Sequence, residues 1–294
     1  MFYGCFGFAD DLLLLSASQT GLQSMVDICC KFMKNKGLKF STSNIPAKSK
    51  TKCIVFTQKK IANILPIKLD GTDLPWVNQV KHLGNILENN NSMSKDINIK
   101  RGQFIGKVNA LSQEFHFAEP SQFMKILNLY AINFPGSSLW DLFSKDCQRI
   151  YNAWNVTVRQ AFKVPRNTHR YLIEPVSQSP HLKTLLCSRY CRFVDSILNS
   201  PKLQVRMIGR QCVADLRTKM GNNILNISKE CGLVWNGEVL PTSTVVKKSM
   251  KFVSVPECEK CREGVFLELL SGELKIDGFE EDEILKIIEC LCST

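Results

Sequence analysis

Two short apolar runs, CFGF (5–8) and LLLL (12–15), flank the polar pair Asp10-Asp11. This pattern predicts a β-hairpin with a tight acidic turn. The period then changes. Leu22, Met25, Val26, Cys29, Phe32 and Met33 recur at three- and four-residue spacing, which predicts a helix over 20–36 with one apolar face. Thr20 and Gln23 have the spacing of a capping box at its start. Gly37 stands where a left-handed residue ends a helix. After a polar loop at 41–49, residues 52–57 (KCIVFT) read as a strand. IKLDG (67–71) and Val80–Leu83 read as further strands, separated by the turn DGTDLP.

From about residue 94 the period is helical. Ile97, Phe104, Val108, Leu111 and Phe115 fit one stripe, and further helices are expected near 121–133, 145–162, 182–199, 202–219 and 280–291. The expected class is α+β. Residues 1–93 form a β-rich portion, 94–220 a mostly α-helical block, and 221–294 a small mixed tail. Gly221-Asn222-Asn223 marks the second boundary.

Charge sharpens this division. Residues 1–93 hold 11 Lys+Arg against 6 Asp+Glu, residues 94–220 hold 19 against 8, and residues 221–294 hold 8 against 13. A basic middle block beside an acidic tail points to a polyanion partner for the middle. Thirteen cysteines without a regular framework fit an intracellular, reduced setting, cytoplasmic or nuclear. No run of 18 apolar residues is present, and the first residues lack the features of a signal peptide, so no membrane partner is expected.

The sharpest candidate chemistry is F-A-D-D. Adjacent carboxylates held forward by two strands suit a hard divalent cation, which takes oxygen ligands from one or two carboxylates plus substrate phosphates. In two-metal phosphoryl transfer one ion activates the attacking oxygen and the other steadies the leaving one. Asp is also common in turns for its local hydrogen bonding alone.

The residues downstream give the aspartates a context. F-A-D-D-L-L-L-L resembles the Y/F-x-D-D motif of reverse transcriptases. The helix and G-L-K-F (37–40) resemble the next palm motif of non-LTR, LINE-type retrotransposons. Lys50-Thr51-Lys52, ending in Val55-Phe56, is similar to that family's K-T-x-x-x-x-F strand, and Lys81-His82-Leu83-Gly84 to the Y/H-L-G of its primer-grip hairpin. SSLWDL (137–142) and AWNVTVRQAFKVPRNTHR (153–170) are similar to its W…R…LP..TH run. The resemblance covers about 1–200.

The resemblance implies a partial reverse-transcriptase palm followed by a helical thumb, acting on an RNA template and a DNA primer with Mg2+. Asp10 is then a metal ligand, and Asp11 its neighbour at the catalytic centre. Lys50 lies near the incoming triphosphate as a proton donor to pyrophosphate. The loop SNIPAKSKTK is longer than the family's, which leaves Lys48 and Lys50 as alternatives for that role. Leu83 and Gly84 belong to the primer grip, and Arg149, Arg159, Arg166, Arg170, Arg189 and Arg192 are candidate phosphate contacts in the thumb. The family places a further aspartate and its fingers well upstream of F-A-D-D, and only nine residues precede Asp10 here. The expectation is an RNA-directed DNA polymerase fragment, inactive alone and completed by an upstream polypeptide. The alternatives are a nucleic-acid-binding module without chemistry and a decayed element product.

Cys258-x-x-Cys261 has metal-ligand spacing, and Cys290-x-Cys292 offers a second pair. A single CxxC with a CxC partner and no histidine after His181 favours reduced thiols over zinc. Trp140 and Trp154 are expected to pack between helices rather than stack on bases, and His169 to be a packed histidine.

Overall fold

A computed structural model describes residues 4–43, 48–57, 64–166, 177, 179–234 and 240–250. The architecture is α+β, with small antiparallel hairpins first and helices after them. It divides into two compact units, Met1–Met93 and Ser94–Thr294.

Among its described residues the first unit holds three two-stranded antiparallel hairpins and one long helix. Strand β1 (Gly4–Phe8) pairs with β2 (Asp11–Leu15), with Phe8 opposite Asp11 and Cys5 opposite Leu14. Helix α1 spans Gln19–Asn35. Its cap is Ser18, whose hydroxyl accepts from Gly21 N, and not the expected Thr20–Gln23 box. The Gln23 amide is used elsewhere: it accepts from Lys68 N and donates to Lys68 O, both at 2.8 Å. It thereby ties α1 to the third strand. At the other end Leu38 N donates to Met33 O and Gly37 N to Lys34 O. With Gly37 at φ +68, this is a Schellman closure.

Strands β3 (Ile67–Leu69) and β4 (Thr72–Leu74) form the second hairpin, β5 (Gln79–His82) and β6 (Asn85–Glu88) the third. Val26, Cys53, Ile67, Leu69 and Leu74 make the core of this unit, with Leu14, Leu22, Cys30, Phe40 and Trp76 packed on it. The buried line on α1 is therefore Leu22–Val26–Cys30. Phe32 falls outside it and is exposed. The run 52–57 is not a strand. Cys53 alone bridges to Trp76, with Cys53 N donating to Pro75 O and Val77 N to Cys53 O. Pro75 has no N–H with which to extend the ladder.

The second unit is helical: α2 (Ser94–Glu114), α3 (Pro120–Tyr130), a 3-10 turn (Ser137–Leu139), α4 (Lys145–Ala161), α5 (Leu182–Leu198), α6 (Leu203–Ala214), α7 (Lys219–Glu230) and α8 (Ser243–Ser249). The helix expected over 202–219 is α6, which ends at Ala214; after a turn at Asp215–Thr218 a separate helix, α7, begins. Thr218 caps α7 by accepting from Gly221 N at 3.0 Å. A Cβ on Gly221 would lie 2.5 Å from Asp215 O, so glycine permits this close turn. Residues 221–223 are thus inside α7 and do not form a boundary. Asn223 is fully buried there, donating to Trp140 O and accepting from Leu142 N. The helix expected at 280–291 lies outside the described residues. No helix among those described is long and apolar enough to cross a membrane.

Candidate metal centre and nucleic-acid interface

Asp10 and Asp11 sit at the tip of the β1–β2 hairpin, both exposed. Ala9 and Asp10 form its two-residue loop, and Ala9 has φ +52. Short hairpin loops need a left-handed first position, ordinarily filled by glycine or asparagine. An alanine there is strained; Asp10 stands in the loop itself, and Asp11 opens β2 opposite Phe8. Their oxygen donors suit Mg2+ in kind. In number they fall short: among the described residues no three His, Cys, Asp or Glu side chains form a group able to hold a metal ion.

Lys50 is exposed in the loop after α1. Its neighbours are fixed. Thr51 donates from both N and Oγ1 to Ser41 O, and the buried Ser49 donates to Thr51 O at 2.7 Å. Lys48, also exposed, stands on the other side of Ser49. The structure brings Asp10 and Asp11 together. Among the described residues it shows no hydrogen bond or ion pair joining either of them to Lys48 or Lys50.

Leu83 and Gly84 are the two loop residues of the β5–β6 hairpin, at φ +46 and +78. Two consecutive left-handed residues define a type I′ turn, where glycine is at ease and leucine is not. Leu83 is nonetheless exposed, so burial of its side chain does not account for its presence.

In the helical unit the arginines separate by their partners. Arg189 is half-buried and donates to Ile132 O at 2.7 Å. Burial, then the nearby Arg192, lowers its pKa, so Arg189 ties α5 to the segment after α3 and is not a free phosphate contact. Arg149 is exposed and pairs with Asp146 at 3.1 Å, one turn away. Arg159, in the last turn of α4, is partly desolvated, which lowers its pKa. The solvent face of α4 carries Lys145 and Arg149, and beyond its end Lys163 and Arg166 are exposed. Arg192 is exposed on α5. Arg170, His169 and the pairs Cys258/Cys261 and Cys290/Cys292 lie outside the described residues.

Trp140 and Trp154 are both fully buried. They end a chain of aromatic rings, Trp154–Phe104–Phe134–Trp140, with centroids 6.4, 5.9 and 5.7 Å apart. The sequence reading missed what holds that chain. Asp96 and Lys100 are 2% and 5% exposed and pair at 2.8 Å. Asp96 also accepts from Trp140 Nε1 at 2.8 Å, and Lys100 donates to Pro135 O. A Lys four residues after an Asp reads as a solvated helix face, so nothing local signals burial. Also missed was the pair His181–Asn155 at 2.8 Å, in which the other ring nitrogen of His181 accepts from Lys183 N and caps α5. No protein-family model matches this chain, and no curated protein matches it.

Proposed function

We propose that this chain carries the acidic metal turn, palm helix, primer-grip hairpin and thumb of an RNA-directed DNA polymerase of the non-LTR retrotransposon type. It synthesises DNA only together with residues that supply a third carboxylate and the nucleotide-gripping fingers. The supporting observation is the pair of tight hairpin tips in the order of the motifs. Asp10-Asp11 stands on one, exposed beside a left-handed Ala9. Leu83-Gly84 forms the other, with α1 between them in sequence. A second feature agrees. Phe6, Phe8 and Leu15 lie on one face of a two-stranded hairpin and are exposed. Isolated hairpins are marginal in water, so this face suits a larger sheet.

In this reading Asp10 and Asp11 hold Mg2+, which would neutralise the charge developing on a transferring phosphoryl group. Lys50, with Lys48 as the alternative, donates a proton to the leaving pyrophosphate. Leu83 and Gly84 bring backbone close to the primer. Lys145, Arg149, Arg159 and Arg166 meet duplex phosphates without reading bases.

Primer extension tests this. The chain alone should not extend a primed RNA template with Mg2+. Supplemented with a polypeptide bearing the missing carboxylate and fingers, it should, and Asp10→Asn should abolish synthesis. Lys50→Ala should slow it by about 10²–10⁴-fold, the usual worth of a positioned proton donor. Extension that survives Asp10→Asn would overturn the metal assignment.

A second reading, a nucleic-acid-binding module without chemistry, draws on the basic face of α4. Both readings predict salt-sensitive binding, with log K falling by about 0.9 per phosphate neutralised for each unit of log salt on B-form DNA. Only the first predicts extension on supplementation.

A further inference from the structure

The register of the first hairpin sets Cys5 directly opposite Leu14. Cross-strand partners point to the same face of a sheet, and Leu14, like Leu22 and Cys30 of α1, packs on the core cluster that includes Val26 of α1. Cys5 therefore faces α1. Cys29 lies three residues after the buried Val26, on the same side of the helix. After burial, the neighbouring Cys5 is the next cause that raises the Cys29 pKa, and both thiols are free. Cys30, next in sequence, turns instead toward the β3–β4 turn, where it meets Asp70 and Lys34.

We propose that Cys5 and Cys29 are a thiol–disulfide modification site that locks the acidic hairpin to helix α1 under a peroxide-type oxidant. Cys5 is exposed and Cys29 only partly so, which orders the chemistry. The Cys5 thiolate attacks one peroxide oxygen and the O–O bond breaks. This yields a Cys5 sulfenic acid and water. The Cys29 sulfur then attacks the Cys5 sulfur, the S–O bond breaks, and a second water leaves. The two thiols have lost two electrons to one hydrogen peroxide, and the S–S bond has formed. Burial, then the neighbouring Cys5, raises the Cys29 pKa. That makes Cys29 the poor first nucleophile and the resolving partner. A small thiol such as reduced glutathione reverses the bond by exchange.

Cys5 lies on the strand that leads to Asp10. The bond would fix that strand against the helix whether or not the chain takes part in polymerisation. The test is therefore independent of activity.

The full chain, fully reduced, is treated with hydrogen peroxide in small excess and its disulfides are mapped by mass spectrometry of proteolytic fragments. The first crosslink formed should join the fragments holding Cys5 and Cys29, and dithiothreitol should remove it. Cys5→Ser and Cys29→Ser should each abolish it, and Cys30→Ser should leave it intact. Oxidation should raise the melting midpoint of the hairpin unit by roughly 15–20 °C, the scale expected for a crosslink closing a loop of this length in a unit of this size. Amide exchange across 4–15 should slow by about tenfold or more. A different first pair, or Cys5 carried to sulfinic acid with Cys29 still free, would overturn the proposal. So would a crosslink that leaves both the midpoint and the exchange rates of 4–15 unchanged.

Discussion

The two units of this chain arrange polar residues and strain in opposite ways. In the hairpin unit the polar groups of interest stand on exposed tips over a thin core, and the backbone beneath them is strained. Glycines aside, Ala9, Asp70, Leu83 and Asn91 all have positive φ, against Lys163 alone in the helical unit among the described residues. In the helical unit the distinctive polar groups are buried and paired, and the backbone is regular. A tip can be reorganised by the ligand it meets, so it need not be satisfied in isolation. A buried ion pair has no such latitude, because an unpaired charge in a core costs several kcal/mol.

The largest expected effect follows from that contrast. Asp96→Ala leaves Lys100 charged, buried and without its carboxylate, and removes the acceptor of Trp140 Nε1. Breaking a buried pair from one side costs about 3–5 kcal/mol, read as a shift in the urea midpoint followed by helical circular dichroism. Replacing both partners with apolar residues, Asp96→Leu with Lys100→Met, should recover most of the loss. The equivalent cut in the hairpin unit, Lys34→Ala, removes an ion pair whose two partners are each 57% exposed. It should leave the midpoint where it is. A comparable loss there would break the comparison.

Alkaline titration is the next largest effect. Burial pushes the thiols of Cys147 and Cys191 up to about 12 and that of Cys53 up to about 11, from 9.0. Above pH 9 the unfolded chain gives up these protons while the folded chain keeps them. Each group therefore stabilises the fold fully below pH 9, and the contribution is lost as pH rises toward the folded value. The loss is about 1.4 kcal/mol per group for each pH unit above 9. The helical unit adds Cys187, whose thiol burial also pushes up, and buried tyrosines, with Tyr190 pushed up to about 12. The hairpin unit has Cys53 and, raised by lesser burial, Cys29 and Cys30. Hydrogen exchange at pH 8 and after a step to pH 10.5 should show the helical unit losing more protection. Equal loss in both units would show that burial of thiols does not set their alkaline stability.

The same contrast explains what was legible in the sequence. Apolar periodicity reports where a chain turns its own faces, so the F-A-D-D hairpin, α1 and most of the later helices were readable from local pattern. It does not report which polar residue finds a distant partner. Gly221-Asn222-Asn223 reads as a linker because glycine and asparagine favour turns. It is helix because Asn223 satisfies Trp140 O and Leu142 N more than eighty residues away. Gln23 reads as part of a local cap and instead pairs with the Lys68 backbone. KCIVFT reads as a strand from composition, and only Cys53 of it bridges, to Trp76. At the candidate site, the two carboxylates and the K-H-L-G turn were legible as motifs. The strain at Ala9 and Leu83 was not, since neither residue type signals a left-handed conformation.

That strain gives the smallest effect and the closest test of the tips. Leu83 at φ +46 is an exposed leucine in a conformation costing roughly 1–2 kcal/mol for an ordinary side chain. Glycine adopts it freely but loses more chain entropy on folding, by about 0.5–1 kcal/mol. Leu83→Gly should therefore raise stability by roughly 0.5–1 kcal/mol, seen as a small upward shift in the melting midpoint. Gly84→Ala, at φ +78 with open space around the added methyl, should lower it by a similar amount. If Leu83 is retained to meet a primer, the stabilised Leu83→Gly variant should bind primed template more weakly than wild type. A variant both more stable and equally tight in binding would remove Leu83 from the interface and leave its strain without a purpose. A variant that is less stable would show that leucine's packing against its own hairpin outweighs the backbone cost, and the contrast between strained tips and a regular helical unit would then lose one of its four supports.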